Sequence, residues 1–223
     1  MTLKIKLLVI MLFCIRGFSQ GQETSYQQLD SLVTKFVEKL QYKNIDTICI
    51  YKNYCVGCYY VFENKDDECI CSTTFIPTYI LWLNRGKTFL SKKDNCFDYS
   101  TIEIDSTFAW DYFLKNKECI AKEHVKPFEY VVSKDNREDT YLIIRDHSNR
   151  QDFKMIVNDD VISLHFDEFD LEKECDNSIN INYEYNQSLK GKIVINELEK
   201  ITEDIENKSL LKKRRRIMGN VPN

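Results

Sequence analysis

The apolar residues of this chain change their spacing repeatedly, and the order of those changes limits the architecture more than any other feature. Tyr26, Leu29, Leu32, Val33, Phe36, Val37 and Leu40 recur at three- and four-residue steps, which predicts an amphipathic helix from Ser25 to Leu40. From Asp46 the pattern shortens. Ile48 and Ile50, then Val56 to Phe62, then Ile70 to Ile76 read as strands, with a turn at Asn64–Glu68. Helical spacing returns around Phe108, Ala109, Tyr112 and Phe113, with Asp105 or Ser106 as cap, and again from Ile193 to Ile205. Strands in blocks, without strict β-α alternation, predict an α+β fold: a mainly antiparallel sheet with an N-terminal, a central and a C-terminal helix.

The clearest hairpin is Tyr79–Leu83 and Lys87–Leu90 around Asn84-Arg85-Gly86. After Pro127 three strands are expected: Tyr130–Ser133 or Tyr141–Arg145, then Phe153–Val157, then Val161–Phe166, and the alternation of Ile179–Tyr185 suggests one more. No internal repeat is present, and His124–Phe128 is the one possible internal boundary.

The first twenty residues have the three parts of a secretory signal. Lys4 and Lys6 are basic, Leu7–Ile15 is apolar, and Gly17 and Ser19 are small residues before a cut after Ser19. Nine helical residues rise about 14 Å, roughly half of a bilayer core, so no membrane span is expected there. The reading is a signal peptide over 1–19, a single domain over 20–207 and a basic tail over 208–223, with the mature protein periplasmic or extracellular.

Loss of residues 1–19 changes the net charge from −4 to −7. The tail holds Lys208, Lys212, Lys213, Arg214, Arg215 and Arg216, so residues 20–207 carry 22 basic against 35 acidic groups, a net of −13. Such a body repels nucleic acid and suits a basic protein partner. The tail itself reads as a solvated end of the last helix.

Of nine cysteines, Cys14 leaves with the signal. Cys49, Cys55, Cys58, Cys69, Cys71, Cys96, Cys119 and Cys175 remain. An even count in an exported chain points to disulfides, with 105 possible full pairings. If residues 55–63 and 66–74 pair across a turn, Cys58 faces Cys71, the first expected bridge. Cys55 with Cys49 or Cys69, and Cys96 with Cys119, are further options, and Cys175 has no evident partner. Two alternatives stand beside disulfides for Cys55-Val56-Gly57-Cys58. One is a Zn site from Cys55, Cys58, Cys69 and Cys71. The other is a thiol–disulfide exchange pair, although the strand-like residues that follow offer no helix N-terminus to lower a thiol pKa.

Other chemistry has little support. The histidines are His124, His147 and His165, with no paired metal-ligand spacing. His147 beside Asp146, or His165 before Asp167-Glu168, would make an Asp–His base, and both read first as surface residues. Phosphate-cradling and nucleophile-elbow motifs are absent. Asp66-Asp67-Glu68 and Asp167–Asp170 lack the spacing of a calcium loop and read as solvated turns. Tyr59, Tyr60, Phe62, Tyr79 and Trp82 read as core and cross-strand partners before a ligand face.

The Phe18-Ser19-Gln20 ending, the hairpin and the following Lys92-Lys93-Asp94-Asn95-Cys96 resemble uncharacterised exported proteins of Bacteroidota-type bacteria. That resemblance brings no activity and no cofactor. The expectation is an exported, disulfide-bearing protein that binds or supports rather than catalyses.

Overall fold

A computed structural model describes residues 25–58, 75–105 and 108–216. Helix α1 (Ser25–Gln41) places Leu29, Val33, Val37 and Leu40 on one buried face, as their spacing requires. It ends where Asn44 takes a left-handed conformation (φ 58°), one that asparagine tolerates better than most residues.

The central strand is β1 (Thr47–Cys55). On one side it pairs with β2 (Thr78–Asn84), which turns into β3 (Lys87–Lys93), which pairs with β4 (Phe97–Tyr99) and β5 (Ile102–Ile104). On the other side it pairs with β8 (Asn149–Val157), which turns into β9 (Asp160–Asp167). All of these pairs are antiparallel. The expected β2–β3 hairpin closes with Arg85 and Gly86 both at positive φ, the twist that a two-residue hairpin favours.

Alternation along the strands divides the core in two. Ile48, Ile80, Trp82 and Ile156 face α1, whereas Tyr51, Tyr79, Leu81, Leu90, Phe153 and Met155 face the opposite way. The second face is covered by α2 (Phe108–Ile120) and by α4 (Lys190–Asn207), through Trp110, Phe113, Val194, Ile195 and Leu198. The molecule is thus α+β, with helices on both faces of a mainly antiparallel sheet. No helix among the described residues is long and apolar enough to cross a membrane.

Four expectations change. Val56 and Gly57 form a turn and not the start of a strand, because β1 ends at Cys55 and Gly57 adopts φ +75°. The continuation to Phe62, residues 70–74 of the strand expected to Ile76, the Asn64–Glu68 turn and Ser106 lie outside the described residues, and Phe75 and Ile76 are not in a strand. After Pro127 the Tyr130–Ser133 alternative forms as β6 (Glu129–Lys134), whereas the Tyr141–Arg145 alternative stops at Leu142: β7 (Arg137–Leu142) begins four residues earlier and pairs with β6 across Asp135 and Asn136, both at positive φ. The expected strand Ile179–Tyr185 is cut short. Only β10 (Glu174–Cys175) and β11 (Ser178–Ile179) pair, because Asn180 Oδ1 accepts from the Asn182 backbone N–H at 2.9 Å and turns the chain into helix α3 (Tyr183–Ser188).

The basic tail is the fourth. Instead of fraying from α4, the chain reverses at Ser209 (φ 50°), and β12 (Lys213–Arg216) adds to β4 as an edge strand of the main sheet. Ser100 N–H donates to Lys212 O at 2.8 Å, and the Lys213 ammonium lies 4.6 Å from the centre of the Phe97 ring. Pairing satisfies β4's backbone groups, and lysine is well suited to a sheet edge.

Candidate functional site

The cysteines do not pair as expected. Cys58 bonds to Cys55 rather than to Cys71, which lies outside the described residues together with Cys69. The turn at Val56-Gly57 brings the two Cα atoms to 5.5 Å, a bridging distance reached without a partner strand. Closing this bridge removes two of the four thiolates that the zinc alternative needs. Among the described residues no cluster of His, Cys, Asp and Glu is arranged to hold a metal. Cys96 is disulfide-bonded, whereas Cys119 is a free thiol on α2, so the Cys96–Cys119 link is not made. Cys49 and Cys175 are also free. Cys49 is wholly buried on the α2/α4 side of β1, and burial pushes its thiol far above the ordinary cysteine value.

The Cys55–Cys58 loop caps the end of the β1–β8 ladder. Cys55 pairs in register with Asn149, and Val56 N–H donates to Ser148 O at 3.0 Å. Cys55 is buried and Cys58 is exposed. A Cβ on Gly57 would lie 2.1 Å from His147 Cδ2 and 2.6 Å from His147 Nε2, so the imidazole rests directly on the glycine. His147, expected as a turn residue beside Asp146, is therefore packed against the cysteine loop.

Beside that loop, the sheet face that carries α1 turns polar. Lys52, Asp152 and His165 are consecutive register partners across β1, β8 and β9, with Tyr54, Arg150 and Asp167 in the next row. The Asp152 carboxylate takes His165 Nδ1 on one oxygen and the Tyr54 hydroxyl on the other, the latter at 3.1 Å. This hydrogen bond, partly opposed by burial, raises the His165 pKa. Lys52 pairs with Asp30 of α1 at 3.0 Å. Between α1 and these strands lies a cleft of about 420 Å³, which Lys154, Ser163 and His165 also line. His165 does pair with an aspartate, but the partner is Asp152 on the adjacent strand and not the Asp167 that the sequence suggested.

Asp167 instead caps the short 3₁₀ turn Glu168–Leu171, accepting from Phe169 N–H at 3.0 Å and from the Ser148 hydroxyl at 2.8 Å. Lys92–Asn95 is also structural. Lys92 reaches Glu206 at 2.8 Å, Asp94 accepts from Cys96 N–H, Phe97 N–H and the Tyr99 hydroxyl, and Asn95 Oδ1 accepts from Ile76 N–H. Tyr79 and Trp82 are core residues on opposite faces.

The β6–β7 ribbon was not foreseen as a unit. It forms a separate two-stranded sheet, and every residue of β7 is exposed. Its base is firmly held: Phe128 stacks on Phe169 at 5.0 Å, Ile143 N–H donates to Phe128 O, and Ile181 N–H donates to Glu129 O. Beyond that base Val131, Val132, Tyr141 and Leu142 are 40–52% exposed, and Ile144 is 77% exposed. Next to them Ile179 and Ile181 are more than half exposed.

Comparison with protein-family models, with curated proteins and with solved structures finds no match for this chain.

Proposed function

We propose that this is an exported protein that works by binding, and that it engages a basic partner protein along the β6–β7 ribbon. The supporting observation is the ribbon's apolar, unpartnered surface. Two strands alone are marginally stable in water, and apolar groups clustered at one place on a surface mark sites of association. Along β7 the outer backbone N–H and C=O groups meet no further strand among the described residues. An extended segment of a partner can add there, with main-chain hydrogen bonds for affinity and Tyr141 or Leu142 for side-chain contacts. Glu138 and Asp139 lie on the same strand, and the −13 charge of residues 20–207 favours the approach of a basic chain. Export rests on the signal-like residues 1–19 and on the cysteine content.

The test is to replace residues 130–141 by Asn-Gly, which removes the ribbon with Tyr141 and joins Glu129 to Leu142 through a hairpin turn. Both forms are purified from the native exporting cell and examined by native mass spectrometry. The full chain is expected to carry a basic protein that the shortened chain lacks, with a thermal midpoint within about 4 °C of the full chain. A partner retained after shortening, or a full chain that travels alone, contradicts the reading.

A further inference from the structure

We infer that Cys55–Cys58 is an exchangeable disulfide that accepts electrons from a dithiol of a substrate protein, with Cys58 as the sulfur attacked. Three observations carry this, all independent of the ribbon. First, the bridge spans only Val56 and Gly57, so it restrains very little of the unfolded chain and contributes less stability than a long-range bridge. Second, the two sulfurs differ in access, with Cys58 exposed and Cys55 buried at the end of the β1–β8 ladder. Backbone pairing holds that ladder up to Cys55–Asn149 and on to the Val56–Ser148 hydrogen bond, so opening the bridge leaves the strand in place. Third, His147 rests on Gly57, which sets an imidazole against the two-residue link between the cysteines.

The chemistry balances as one two-electron exchange. A substrate thiolate attacks Cys58 Sγ, the Cys55–Cys58 bond breaks, and Cys55 leaves as a thiolate that takes up a proton. The substrate's second thiolate attacks its own sulfur in the mixed disulfide and releases Cys58, which is also protonated. The substrate dithiol loses two electrons and two protons and becomes a disulfide, and the Cys55–Cys58 disulfide becomes a dithiol. A low-molecular-weight disulfide such as oxidised glutathione restores the starting state. His147 acts as a positioning residue, speeding proton movement without changing the equilibrium.

The test equilibrates the full mature chain in graded mixtures of reduced and oxidised glutathione, followed by differential alkylation and peptide mapping. Cys55 and Cys58 are expected to become alkylated together while circular dichroism is unchanged and the bridge at Cys96 stays closed. Cys55→Ser is expected to trap glutathione on Cys58, and Cys58→Ser to leave Cys55 without an adduct. His147→Gln is expected to slow exchange severalfold and leave the equilibrium midpoint where it was. A Cys55–Cys58 bridge that opens only in denaturant, or only together with the bridge at Cys96, overturns the inference, as does glutathione found on Cys55 in place of Cys58.

Discussion

Asp152 and His165 stand directly opposite each other on β8 and β9, and the Asp152 carboxylate holds His165 Nδ1. The pair has a pH signature. The hydrogen bond raises the His165 pKa above the ordinary 6.5, so folding favours the protonated ring. Its stabilisation is full below the unfolded value and disappears as pH rises through the higher folded value. Asp152→Asn is expected to bring the His165 titration, followed by NMR, back toward 6.5. It also removes part of the stability lost as pH rises from below 6.5 through the folded value in denaturant titrations. An unchanged His165 titration contradicts the assignment.

Asp170 has the opposite sense. Burial raises its pKa, against a lowering contribution from the Phe128 N–H that donates to Oδ1 at 2.9 Å. The folded carboxyl is harder to ionise than the unfolded one, so its contribution to stability falls as pH rises from 3.8 through the folded value. Asn at this position keeps the acceptor and loses the charge. Asp170→Asn is expected to match the parent near pH 3 and to exceed it in stability at neutral pH, as read from urea midpoints at both.

Asn186 holds the ribbon's base to the body. It is fully buried, accepts from Lys126 N–H at 3.0 Å, and donates to Lys126 O at 2.8 Å and Asp170 O at 2.9 Å. Asn186→Leu fills the same space and leaves three backbone groups without this partner. A loss of about 3 kcal/mol is expected by chemical denaturation. A change of under about 1 kcal/mol contradicts that role.

The free thiols differ in access. Cys119 is exposed on α2 and Cys49 is wholly buried, its thiol held protonated by burial. Iodoacetamide is expected to label Cys119 in the folded protein and Cys49 only after unfolding, as mapped by peptide mass spectrometry.

Helices α1, α2 and α4 and the β2–β3 hairpin were legible because their cues are local: apolar spacing for Leu29 to Leu40, and Arg85-Gly86 for the turn. Of the ribbon, β6 was visible but only the last two residues of β7 were, and the pairing of the two strands was not. Its turn uses Asp135-Asn136 in the left-handed region where a glycine would have been an explicit signal. Asn180 and Asn182 hid the end of β11, since alternating Ile and Asn suits a strand equally well until the amides bond back to the chain. The tail was misread because a run of Lys and Arg indicates solvent exposure and says nothing of a free edge at β4 more than 110 residues earlier. Cross-strand proximity, as between Asp152 and His165 or His147 and Gly57, depends on register, which no short motif specifies.

The central claim is that a partner binds along β7. A photo-crosslinking residue replaces Tyr141 in one form of the chain and Tyr42, which is 90% exposed beyond α1, in another. Both are exported by the native cell and irradiated there. The account predicts one discrete adduct with a basic protein at position 141, weakened by added salt, and none at position 42. Equal labelling at the two positions, or none at 141, contradicts it.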